Sequence, residues 1–352
     1  MNPFQEILDS DNLFDSLPDD IVFSIFSKLE DAKSLCLSLS VCKRFRCIIP
    51  EIDQIFLSIP RKGTLVRDYE TPISFFKNLV FRTLIKPVLF IYQRNRFRKN
   101  KDNDEDYCSY YPPNEVLKSF EEIRLLHLRL PCRGSEKLGS KAGKKNNSTF
   151  LKWNAEFGSQ LHNCVILGAK SWIGKRENGD SLLESECESC VIDDRELKLR
   201  IVWTISCLMA ASARHYLIQE IVKEREMIEK IEVTDESNQG RLCMNKEQIE
   251  ELRNLKANDS IFEYRSRVPA LTMKMWYVKT LELPESGEVL EGATLVVVRP
   301  VVGGGGDDID GENGGDVVAE AFDWVEEVEV LGEVVKKLMG TKNCYTLEMN
   351  SF

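Results

Sequence analysis

The sequence predicts an α+β protein, with a small three-helix bundle at the N-terminus followed by an α/β domain. Three observations carry that expectation. Leu17, Ile21, Ile25 and Leu29 recur every four residues, as on one helix face. Beyond residue 120, strand-like runs exchange with helical periodicity. Hydrophobic residues make up 43% and charged residues 30% of 352 positions, which supplies a globular core.

The bundle reads as follows. Ser16-Leu17-Pro18-Asp19 is an S-x-x-D pattern that predicts a capped helix start, with Pro18 in the tolerated first turn. Asp19 and Asp20 lie at the positive end of the helix dipole. Val22 and Phe26 widen the apolar stripe, so the helix is expected to bury two faces. Asp31 can cap a second helix carrying Leu35, Cys36 and Leu39. A third helix runs from about Val41, with Phe45, Ile48 and Ile49 inward and Lys43, Arg44 and Arg46 outward. Pro50 marks its end. Three short helices bury little surface alone, so the module is marginal or completes its core against a partner.

LPDDIVFSIFSKL, a short acidic turn and then SVCKRF resemble the F-box, from about Phe14 to Leu57. The resemblance implies a substrate-receptor subunit of an SCF ubiquitin ligase, bound to a Skp-type adaptor and through it to a cullin. It also implies that Leu17, Pro18, Ile21, Ile25, Val41, Cys42, Lys43 and Phe45 pack the bundle or face the adaptor. Phe45 departs from the family, which usually has Trp there. Phe fills the aromatic slot with less area and no indole N–H. LKWNAEFGSQLHNCVILGA, WTISCLMAASARHYL and the terminal LEMNSF are similar to a group of plant F-box proteins described as auxin-responsive.

The expected organisation is an F-box at 12–60, a basic linker region with an amphipathic helix at 61–119, and a substrate-recognition domain at 120–352. Within the linker, an apolar segment from Thr71 to Gln93 is broken by Pro87. Arg94–Lys101 (RNRFRKNK) then carries five positive charges before DNDED reverses the sign. A basic run can be a nuclear localisation signal or an RNA contact. Phe97 is the one aromatic inside it, too few for a single-strand platform, and a solvated linker is expected. This run is the basis of a competing reading, a nucleic-acid-binding or scaffold protein.

In the third region Ile123–Leu130 alternates like a strand. Phe150, Trp153, Phe157 and Leu161 fit a helix, and Cys164–Leu167 reads as a buried parallel strand. Glu196–Glu229 and Lys246–Leu255 are helical, and Ile231–Thr234 is strand-like. Met273–Leu283 and Ala293–Val298 look like paired strands. Phe322–Met339 is helical, and CYTLEM is a closing strand. Such alternation predicts parallel pairing, with a leucine-rich-repeat-like sheet as an option.

The chemistry-bearing residues are few. No H-E-x-x-H or G-x-S-x-G occurs, and His127, His162 and His215 are expected to be structural. Cys187 and Cys190 form C-E-S-C, but no second pair follows at ribbon spacing. Gly303–Gly315 lacks a Walker lysine and its acidic residues would repel phosphate, so it reads as a flexible insertion. No catalytic residue, cofactor or metal is expected. A net charge of -10 opposes a global nucleic-acid binder. Eleven scattered cysteines behind a start without a secretory signal predict a reducing compartment, nucleus or cytoplasm. No apolar run is expected to span a membrane, and Ile201–Ala213 reads as a buried helix. Docking is expected to be separable from the rest of the chain.

Overall fold

The computed structural model describes residues 14, 16–59, 113–131, 149–173, 192–254, 270–301 and 318–349. Three helices open the chain: α1 (Asp19–Ser27), α2 (Ala32–Ser38) and α3 (Lys43–Ile48), with a 3-10 turn at Ile49–Glu51. Strand β1 (Gln54–Ser58) follows, then α4 (Pro113–Leu117), β2 (Leu125–Leu130), β3 (Phe150–Phe157), β4 (Leu161–Ala169) and β5 (Ser171–Ile173). The long helix α5 (Asp194–Glu224) precedes β6 (Lys230–Asp235), β7 (Gly240–Met244) and α6 (Lys246–Asn254). The hairpin β8 (Leu271–Leu283) and β9 (Glu288–Pro300) leads to α7 (Val328–Met339) and β10 (Cys344–Met349).

All ten strands form one mixed sheet in the order β1-β2-β6-β7-β3-β4-β9-β8-β10, with β5 paired to β9. The parallel pairing expected of this domain forms only in part, and the sheet is mixed. Only β1/β2, β2/β6 and β3/β7 are parallel among the described pairs. The 164–167 run is a strand, as expected, but it lies antiparallel to both β3 and β9. The reason is packing on two sides. Cys164 and Ile166 face one core, while Val165, Leu167 and Ala169 face the other. A strand covered on both faces is continuously apolar whatever its direction.

The helix expected from Phe150, Trp153, Phe157 and Leu161 is instead the β3–β4 hairpin. Trp153, Ala155 and Phe157 are buried at alternate positions, a period of two that coincides with the helical spacing over so short a stretch. Strand β7 carries no sequence signal noted above. The other elements hold: β2, α5, β6, α6, the β8/β9 hairpin and β10 lie where periodicity places them. Helix α7 starts later than predicted, at Val328.

The sheet is sandwiched between layers. Helices α5 and α6 cover one face, contributing Cys207, Leu208, Ala211, Ile218, Ile249 and Leu252 to the first core. Helix α7 and the segment before it cover the other, through Phe322, Val325, Leu331, Val334, Val335 and Leu338. The N-terminal bundle shares the first core: Val22, Phe26, Leu35, Ile49 and Ile52 are continuous with Leu126 and Leu128 of β2. The partner that completes the bundle is therefore the chain's own sheet.

By length and composition α5 is apolar enough to cross a membrane, contrary to expectation. It lies along the sheet, and it carries two buried arginines that the sheet satisfies. Arg200, fully buried, donates from Nε to Thr294 Oγ1 at 3.1 Å and from Nη2 to the Gly292 carbonyl at 3.1 Å. It pairs with Glu196 and stacks near the rings of Trp203 and Tyr277. Gly292 holds φ +60, and a Cβ there would stand 2.5 Å from the guanidinium, so the site requires glycine. Arg214 donates to the Gly240 carbonyl at 2.6 Å, pairs with Asp235 at 2.5 Å and lies over the Trp153 ring. Burial pushes the Asp235 carboxyl up. Arg214 and hydrogen bonds from Ser237 and the Gln239 N–H more than reverse this, holding it below the ordinary carboxylate range.

Candidate adaptor-docking face

Helix α1 begins at Asp19, with Pro18 at the N-cap position and Ser16 two residues before it. The second helix follows expectation. The Asp31 carboxylate accepts from the Ser34 N–H at 2.9 Å. Helix α3 starts at Lys43, with Cys42 as its cap: the Sγ accepts from the Phe45 N–H at 3.5 Å.

The two faces of α1 have opposite fates. Val22 and Phe26 are buried, and Leu17 and Phe23 pack against the same core. Ile21, Ile25 and Leu29 are 48%, 42% and 43% exposed. Their spacing of four puts them on one stripe. Leu37 and Val41, on and after α2, are more exposed still, at 65% and 69%. Eleven large apolar side chains are exposed among the described residues, and six of them (Phe14, Ile21, Ile25, Leu29, Leu37 and Val41) belong to this short region. Folded proteins leave such a concentration uncovered where another surface is to cover it.

The eight residues singled out from the resemblance divide accordingly. Ile21, Ile25 and Val41 present apolar surface, and Pro18, Cys42 and Lys43 are exposed beside them in sequence. Leu17 and Phe45 are half-buried and hold the bundle together. The Phe45 ring packs edge-on against Phe14 at 5.8 Å and Phe26 at 4.8 Å, filling an aromatic slot inside the bundle.

Arg44 corrects the sequence reading, which placed it outward. Its Nε donates to Asp19 Oδ1 at 2.6 Å, Nη1 donates to the Phe14 carbonyl at 2.7 Å, and Nη2 donates to the Leu17 carbonyl. One side chain thus ties α3 to the start of α1 and fixes the exposed stripe against the aromatic slot. Leu29 and Leu37 were also missed as exposed positions. The four-residue period could have flagged Leu29. Nothing local distinguishes Arg44 from its solvated neighbours.

The histidines behave as structural residues. His127 Nε2 lies 2.8 Å from Thr234 Oγ1, with the ring edge-on to Phe56. His162 pairs with Glu251 at 2.9 Å. His215 stacks on Phe157 and reaches the Gly158 carbonyl at 3.0 Å, and burial pushes its pKa down to about 4. No group of three metal-ligating side chains occurs among the described residues. The basic run 94–101, the Cys187/Cys190 pair, the apolar segment 71–93 and the glycine loop 303–315 lie outside the described residues.

Comparison with known proteins covers the same part of the chain and the sheet that follows it. The F-box-like family matches residues 14–54, the span of the bundle and the start of β1. F-box protein At4g18380 of Arabidopsis thaliana is 36% identical over 385 residues, covering 96% of this chain and 94% of the relative. F-box proteins AUF2 and AUF1 of the same plant are each 35% identical, over 97% and 96% of this chain and nearly all of their own length. No solved structure matches significantly. The likeness to these relatives extends through the sheet as well as the bundle, and the chain belongs to the F-box protein family.

Proposed function

We propose that this protein is the substrate-recognition subunit of an SCF-type ubiquitin ligase. The exposed stripe Ile21, Ile25 and Leu29, with Leu37 and Val41, docks on a Skp-type adaptor and through it on a cullin. The observation that carries the reading is that stripe: an apolar face left open on a bundle whose other face is fully used by the chain's own core. The sheet domain holds the target near the charged conjugating enzyme. Its contribution to the chemistry is proximity, since holding an acceptor lysine beside a thioester raises effective molarity. No catalytic residue of this chain is assigned.

Similarity to AUF1 and AUF2 supports a place in plant hormone response, with auxin as the leading signal and nucleus or cytoplasm as the compartment. The test is co-purification of the full chain with its adaptor from plant cells, followed by a survey of proteins that accumulate when the chain is removed. An adaptor-bound chain whose loss stabilises specific proteins supports the receptor reading. A chain that never captures the adaptor overturns it.

A further inference from the structure

The sheet has two edges, and they are treated differently. At β1 the bundle closes the edge: the Phe56 N–H donates to the Glu30 carbonyl at 2.8 Å, and Asp31 forms an isolated bridge with Phe56. At the far edge, β10 pairs with β8 on one side, and no strand is paired on its other side among the described residues.

Register decides which backbone groups face that open side. Cys344 stands opposite Trp276, so Asn343 stands opposite Tyr277. The Tyr277 N–H donates to the Asn343 carbonyl, which makes this a hydrogen-bonded pair. Such pairs alternate along an antiparallel ladder. Tyr345, Leu347 and Met349 therefore bond to β8, while the N–H and C=O groups of Thr346 and Glu348 point away from it. Natural edge strands are usually blunted by proline, lysine or a bulge. Cys344–Met349 contains neither residue and keeps an unbroken six-pair register.

We propose that the open edge at Thr346–Met349 receives an extended segment of the target protein, added as a further strand. The inference rests on the receptor reading and names the recognition chemistry within it. Unpaired backbone groups in a row are matched by another strand, and the side chains around them specify which. Leu347 and Met349 are half-buried against the first core, so the incoming strand carries apolar residues on that face. Glu348 is exposed on the opposite face. The alternate positions of the incoming strand are therefore basic. A net charge of -10 favours such a strand over a second copy of this chain.

The test uses the full chain bound to its adaptor and a random peptide display library. Thr346→Pro removes an outward N–H and leaves the β8 ladder intact, while Thr346→Val keeps it. Selected peptides should alternate apolar and basic residues and bind the parent and Thr346→Val alike. They should bind Thr346→Pro about tenfold or more weakly. N-methylation of alternate peptide residues should cost the same on the parent protein, which covers the case in which Thr346→Pro fails to fold. Peptides that tolerate both changes, or a library that yields no such binder, overturn the edge assignment. So does a dimer in sedimentation that Thr346→Pro dissolves. If target turnover continues unchanged in Thr346→Pro while the adaptor stays bound, the edge assignment falls and the receptor reading stands.

Discussion

The bundle and the sheet domain handle their side chains in opposite ways. The bundle leaves Ile21, Ile25, Leu37 and Val41 in water. The sheet domain draws Arg200 and Arg214 out of water and surrounds them with carboxylates, carbonyls and rings. Exposed apolar surface lowers solubility and is kept where a partner removes it. Buried charge is tolerated where every donor is met, and removing one partner leaves the other stranded. On the proposed reading, adaptor docking resides in what the bundle leaves out, and much of the stability in what the sheet domain takes in.

The comparison breaks most visibly at Arg214. Replacing it with Ala leaves Asp235 buried without its counter-charge, and should cost about 3–5 kcal/mol in chemical denaturation. Adaptor affinity, measured where the chain is still folded, should not change. A loss of affinity without a loss of stability would show that the two regions are not divided as described.

Phe45→Ala is the corresponding test inside the bundle. It empties the slot between Phe14 and Phe26 and should cost about 3 kcal/mol of stability by calorimetric melting. Because the bundle shares a core with β2, this loss should lower the melting of the whole chain and not of a detached module. Separate transitions for bundle and sheet would contradict the shared core.

His215 gives the sheet domain a pH signature. Its folded pKa, about 4, lies below the ordinary value of 6.5. Between those values the unfolded chain binds a proton that the folded chain refuses. Stability from this group is full above pH 6.5 and is lost as the pH falls towards 4, by up to about 3 kcal/mol. Asp235, whose folded pKa is depressed, adds a loss of the same sign further down, below the ordinary carboxylate range. His215→Phe should flatten the upper part of the profile in denaturation series at stepped pH. An unchanged slope would assign it to other groups.

Arg44→Ala should have a smaller effect on folding than these. It removes the donors to Asp19, Phe14 and Leu17 from a half-exposed site, and should cost about 1 kcal/mol. Amide exchange at the start of α1 should report the loosening locally.

The sequence carried the bundle and most strands of the domain, because capping, period and turn chemistry act over a few residues. Asp31 capped the helix it was assigned, and PESG forms the turn between the two strands, while EVLEG, placed in the connection, already belongs to β9. Strand direction was not legible. Val165 and Ile166 are apolar because both faces of β4 are covered, and covering does not encode orientation. The β3 error has the same origin, since Trp153 and Phe157 satisfy periods of two and nearly four at once. Within the site, residue types marked the region of the proposed docking face, but the placement of each side chain needed the fold. Phe45 and Leu17 turn inward, Ile21 and Ile25 outward, and Arg44 reaches back across some thirty residues to Phe14.

The most direct measurement is titration calorimetry of the full chain with its Skp-type adaptor, comparing the parent with the Ile21→Ala/Ile25→Ala double variant. Truncated apolar anchors at an interface cost about 2 kcal/mol each. Adaptor affinity should fall by about two to three orders of magnitude, while the melting temperature stays at the parent value because neither side chain is buried. Full affinity in the double variant would contradict the claim that the open face of α1 is the docking face.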